Sequence, residues 1–79
     1  MCGIGHMAQD VRELVAMNVR RLREATGISQ AALAADVGVD RAYISSIESG
    51  TRNATITSLA RIANGLRVPV SELFVGTEP

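Results

Sequence analysis

Residues 30 to 47 read QAALAADVGVDRAYISSI, and their spacing restricts the fold more than any other part of the chain. Ser29 caps a helix that stops at Gly38 about two turns later, and Asp40 at once caps another. Two short helices joined by a turn of three or four residues that contains Gly form a helix-turn-helix and cross at a steep angle. Where the backbones approach, only a small residue fits, and Ala34 stands there. The turn needs a residue that tolerates positive φ, and Gly38 follows four positions on. Ile44 and Ile47, one turn apart, plug the core from the second helix, while Leu33 and Val37 close the other side. The competing reading is an ordinary helical hairpin in a small bundle.

The flanking segments are helical too. Asp10 and Glu13 fit a helix start, and Val11, Leu14, Val15, Val19 and Leu22 recur at helical spacing until Gly27, giving a first helix over 11–26. Arg12, Arg20 and Arg21 fall on its polar side. After the polar loop GTRNAT, Thr55 or Thr57 opens a fourth helix carrying Ile56, Leu59, Ile62, Ala63 and Leu66, with Gly65 expected to fray its last turn. Pro69 suits the first position of a short fifth helix with Val70, Leu73 and Phe74 as its stripe. No segment has strand period, so the expected class is all-α, with five helices and residues 8–75 as one domain, followed by a loose tail over 76–79.

A chain of 79 residues has limited apolar surface to bury, so its stability is marginal unless something adds to it. The hydrophobic fraction of 47% is globular, one Cys cannot form an internal disulfide, and no apolar run is long enough to span a membrane. The start, MCGIGHM, resembles the N-terminus of class II glutamine amidotransferases, in which a terminal Cys2 is the nucleophile. That domain is far larger, and no His-rich or acidic constellation here serves such chemistry. Residues 1–7 therefore read as an added leader ending in Gly-His-Met, with the natural chain starting at Met7 or just after. His6 and Cys2 both fall in it, leaving no metal-ligand cluster, no cofactor site and no evident small-molecule site.

The stretch NVRRLREATGISQAALAADVGVDRAYISSIESGTRN, with LARIANGLRVPVSELF downstream, resembles the phage Cro/repressor-like (XRE-type) helix-turn-helix family, whose fold is the lambda-repressor-like DNA-binding domain. The resemblance spans roughly residues 17–75, and DRAYISSIESGTRN looks most like the controller proteins of restriction–modification systems. It implies a third helix in the major groove with Arg41, Ala42, Tyr43, Ser45 and Ser46 at the base-reading positions. A guanidinium at Arg41 can pair bidentately with guanine O6 and N7, the alternative being a phosphate contact, and Ala42 can meet a thymine methyl. Tyr43 either packs along a base or sugar, bonds a phosphate, or supports the helix from a half-buried position. Gln30 matches a glutamine that touches phosphate at a helix N-terminus, Asn53 and Thr55 can do so at the fourth helix, and Arg52 is the expected cationic phosphate clamp. Glu48 matches a glutamate that pairs with an arginine of the first helix, here Arg23. Ala54 stands where many relatives carry Pro.

The eight basic residues, all Arg, balance eight acidic ones. Few cations imply few phosphate contacts per subunit, so two subunits must act together. Val68, Val70, Leu73, Phe74 and Val75 cluster where family members commonly pair. A two-fold dimer sets two recognition helices about 34 Å apart and predicts a pseudo-palindromic operator. The implied protein is a cytoplasmic, nucleoid-associated transcriptional regulator and not an enzyme. Its implied partners are double-stranded operator DNA, a second copy of itself and RNA polymerase. The alternative is an antitoxin or other protein-interaction module built on the same fold.

Overall fold

The structure, a computed structural model, describes residues 10–76. The expected leader and all but Gly76 of the expected tail lie outside them. Among the described residues there is no strand, and no helix is long and apolar enough to cross a membrane. The elements are α1 (Val11–Thr26), α2 (Gln30–Val37), α3 (Arg41–Glu48), α4 (Ile56–Gly65) and a 3-10 helix (Val70–Phe74).

Local chemistry sets nearly every boundary. Side chains of Asp10, Ser29, Asp40 and Thr55 accept from the backbone N–H of Arg12, Ala32, Tyr43 and Ser58, satisfying donors that a helix leaves unpaired at its start. Thr55, not Thr57, thus opens α4. Gly27 and Gly38 end α1 and α2 with φ of 79° and 89°, a left-handed conformation that side chains with a Cβ resist.

Packing then orders these helices around one core. Val19, Leu33, Ile44, Ile62 and Leu73 are its largest fully enclosed side chains, so each of the five elements contributes one. α2 and α3 pack on each other, α1 lies against α3 and the 3-10 helix, and α4 lies against α2 and the 3-10 helix. Gly65 has a structural use beyond weak helix propensity. A Cβ there would stand 3.1 Å from Val37 Cγ2 and 3.2 Å from Leu33 Cδ1, so its bare backbone lets the end of α4 close on α2.

Three expectations are corrected. The expected fifth α-helix is a 3-10 helix of five residues, so the fold has four α-helices. Extended backbone at Pro69 and Val75 leaves no room for a second α-turn, and Glu72 N–H closes on the Pro69 carbonyl three residues back at 2.9 Å. Val11 and Ile56, expected in the apolar stripes, are 59% and 82% exposed because each is the first residue of its helix and overhangs the core. Leu73, expected at a pairing surface, has 0% exposure within one chain: the 3-10 helix lies between α1 and α4, and Leu73 is its buried residue.

Candidate nucleic-acid interface

The helix-turn-helix leaves the outer face of α3 open. Arg41 and Ala42 are exposed at its start, whereas Tyr43, Ser45 and Ser46 are half-buried. Tyr43 packs against the core and so supports the helix while showing one ring face outward. Onto that ring folds Arg52, its guanidinium carbon 4.6 Å from the ring centroid and its Nε donating to Ser46 Oγ at 2.7 Å. The Ser46 hydroxyl in turn donates to the Tyr43 carbonyl at 2.7 Å. Arg52 therefore lies along α3 instead of projecting from its loop, with neither terminal nitrogen bonded to a described residue. A cation held against an aromatic face needs less ordering when it meets an anion or a base edge.

Behind this face sits a buried ion pair. Arg23 Nε donates to Glu48 Oε2 at 2.6 Å and Nη2 donates to Oε1 at 3.0 Å, with the two side chains only 14% and 4% exposed. Arg23 also donates to the Ile28 carbonyl at 2.9 Å, and Arg20 Nη2 donates to the Glu48 carbonyl at 3.1 Å. Burial pushes the Glu48 carboxyl pKa up, but hydrogen bonds from Arg23 and Gln30 and the charges of Arg23 and Arg20 outweigh it. The net effect holds the pKa below its ordinary value, so Glu48 is ionised at neutral pH. The same hydrogen bond raises Arg23. Burying this anion inward keeps α3 free of negative charge on its outer face.

The remaining backbone candidates have more than one duty. Gln30, half-buried at the start of α2, donates through Nε2 to Glu48 Oε1 at 3.0 Å and accepts at Oε1 from Arg41 Nη1 at 3.1 Å. Thr55 Oγ1 serves as the α4 cap and donates to Ser58 Oγ at 3.1 Å, while Asn53 is exposed. Gln30 thus joins Arg41 to the buried Glu48, and Tyr43, Ser46 and Arg52 form a second group on the same helix, with Asn53 and Thr55 following Arg52 along the chain. At the other end of the domain, Val70 and Val75 remain 41% and 47% exposed, and Val68 and Phe74 are half-buried against the core.

Residues 19–73 match the helix-turn-helix family. The chain belongs to that family. Among its relatives is the control protein C.MunI of Mycoplasma sp., 40% identical over 70 residues that cover 87% of this chain and 95% of that protein. The structure resembles the restriction–modification controller C.AhdI from Aeromonas hydrophila, with a TM-score of 0.78 and 35% identity across 80% of this chain and 96% of that one. It also resembles the controller C.Esp1396I, solved as a tetramer with its natural 35 base-pair operator, with a TM-score of 0.76 and 36% identity across 85% of this chain and 88% of that one.

Within this helix-turn-helix family fold, two structural residues escaped sequence reasoning. Asn18 is 3% exposed, and its Nδ2 lies 3.1, 3.0 and 2.9 Å from the carbonyls of Leu14, Leu73 and Val75, while Oδ1 accepts from Arg21. It ties the 3-10 helix to α1. Its signal was available: a polar residue four positions after Leu14 falls on the apolar stripe of the first helix. Arg20 carried no comparable signal, because three arginines in four positions there look alike.

Proposed function

We propose that this protein is a sequence-specific, homodimeric DNA-binding transcriptional regulator of the restriction–modification controller kind. In this reading α3 enters the major groove and the protein has no catalytic role. The observation that carries the reading is the outer face of α3, where Arg41 and the Arg52–Tyr43 stack present two arginines that form no ion pair with a carboxylate among the described residues. Arg12 and Arg23, by contrast, are paired with Asp10 and Glu48. Arg41 reads a guanine edge and Ala42 a thymine methyl, while Tyr43, Ser45 and Ser46 line the same groove. Arg52, Asn53, Thr55 and the start of α2 at Gln30 hold the backbone.

Zero net charge limits a single subunit to a few phosphate contacts, so affinity depends on pairing. The exposed Val70 and Val75, flanked by Val68 and Phe74, supply apolar surface for a two-fold contact, with Leu73 supporting it from within. Such a dimer reads a pseudo-palindrome and acts on transcription in the cytoplasm, at the nucleoid, with RNA polymerase as its further partner.

The test is an Arg41→Ala, Arg52→Ala double variant, with circular dichroism to confirm its fold and a gel-shift assay against DNA selected from random sequence by the wild type. Specific retention is expected to disappear. Unchanged retention by the folded variant would refute the assignment.

A further inference from the structure

We infer that two copies of this chain are matched by a reciprocal charge pair at the rim of their apolar contact, Arg67 of each facing Glu72 of the partner subunit. This rests on the dimer in the reading above and goes beyond it by naming the residues that set register and partner choice.

The first observation concerns the backbone. Arg67 is the one non-glycine residue with positive φ among those described, at 62°. Any residue with a Cβ pays for that conformation, whereas glycine adopts it freely. Outliers of this kind point to a use for the side chain. The Arg67 N–H closes the end of α4 on the Asn64 carbonyl at 3.0 Å, while the residue itself is exposed and forms no ion pair among the described residues.

The second observation is the charge around the apolar patch. Over residues 67–76, Arg67 and Glu72 are the only charged side chains, and Glu72, half-buried, also has no ion pair among the described residues. With them lie Val68 and Phe74, half-buried against the core, and the exposed Pro69, Val70 and Val75. An apolar surface bearing one cation and one anion complements a second copy of itself.

Symmetry then decides which charge meets which. A two-fold contact is isologous, so a residue that meets a second residue of the partner is met by it in return. An axis crossing the chain sets the two segments antiparallel. Placed beside Pro69 and Val70, two adjacent exposed apolar residues, it brings Val68 opposite Ser71 of the partner subunit and Arg67 opposite Glu72 of the partner subunit. One operation thus forms the pair twice. An axis beside Arg67 or Glu72 would instead oppose each charge to its own copy, which charge repulsion disfavours. Exposed pairs of this kind add little affinity, but they fix register and exclude wrong partners.

The experiment measures self-association of the full chain by sedimentation equilibrium over a range of protein and salt concentrations, with circular dichroism to confirm folding. One exposed ion pair is worth up to about fivefold. Arg67→Glu or Glu72→Arg replaces attraction with repulsion at two contacts per dimer, so each should weaken self-association about twentyfold, and added salt should partly restore it. Mixing the two variants should form heterodimers well above the statistical share, read by native mass spectrometry, because both contacts then join opposite charges. The combined Arg67→Glu, Glu72→Arg chain should pair with itself nearly as wild type does. Arg67→Gly relieves the strain yet should also weaken association.

If folded single variants associate as wild type does, or the mixture stays statistical, the inference is overturned while the dimer reading stands. Asp36, which lines an open surface depression with Arg67, is the competitor within the chain. Arg67→Glu that lowers the thermal midpoint without changing association would assign the arginine to Asp36 and overturn the inference. A wild type that is monomeric at every concentration removes the dimer reading and the inference together. Should Glu72→Arg not fold, Glu72→Gln replaces it: about fivefold weaker association is expected, and unchanged association overturns the pair.

Discussion

Replacing Glu48 with Ala removes the acceptor of a bidentate pair at 2.6 and 3.0 Å and of the Gln30 bond at 3.0 Å. It leaves Arg23, whose side chain is only 14% exposed, without its counter-ion. Breaking a buried pair from one side costs about 3–5 kcal/mol, because the surviving charge is stranded. Arg23 retains the Ile28 carbonyl and some solvent, which places the cost near the lower limit, about 3 kcal/mol. For a domain of this length each kcal/mol moves the thermal midpoint by about 4–8 °C, so the drop should be about 12–24 °C. Against a total stability on the order of 5–10 kcal/mol, that is a large fraction. The assay is thermal unfolding followed by helical circular dichroism, at fixed protein concentration because pairing adds to apparent stability. Replacing both partners, Arg23→Leu with Glu48→Leu, should recover most of the loss, since no charge is stranded. A single variant within about 4 °C of wild type, or a double variant as unstable as the single, would refute a coupled buried pair.

Stability should also depend on acidity through the same carboxylate. The folded pKa of Glu48 lies below its ordinary value of 4.5, so its contribution is complete above that pH and is lost as pH falls through the depressed folded value. The thermal midpoint of wild type should therefore fall below pH 4.5 more steeply than that of Glu48→Gln; parallel curves would count against it. Asn18→Ala should cost about 2–3 kcal/mol, since the buried carbonyl of Leu73 loses its amide donor. Amide hydrogen exchange should then show the 3-10 helix opening before the rest of the domain, and unchanged protection there would contradict the tie. Arg67 closes α4 with φ of 62°, a left-handed conformation unfavourable to any residue with a Cβ. Arg67→Gly should gain about 0.5–1 kcal/mol in denaturant unfolding, and a loss would mean the arginine makes a stabilising contact that outweighs its strain.

How much could be read beforehand depended on how far apart the interacting groups lie in the chain. The caps at Asp10, Ser29, Asp40 and Thr55 each act within three residues, so the four α-helices and their order were legible to within a residue or two. The Ala34–Gly38–Ile44–Ile47 spacing identified the helix-turn-helix for the same reason. The pairing of Arg23 with Glu48, 25 residues apart, came through family resemblance and not from spacing. The candidate interface was legible as a set of residues but not as an arrangement. Nothing local indicates that Arg52 folds back onto Tyr43 and Ser46, or that Gln30 bridges Glu48 and Arg41.

The sequence by itself determined the class, the helix boundaries and the polar face of α3, because capping, periodicity and glycine geometry are properties of a few adjacent residues. Only the tertiary structure decided that Leu73 is core, that residues 70–74 wind as a 3-10 helix between α1 and α4, and that Asn18 holds them there. It also decided which partner each end of Gln30 meets. The reason is physical: burial, and the direction of a hydrogen bond between groups distant in sequence, exist only once packing has brought the elements together.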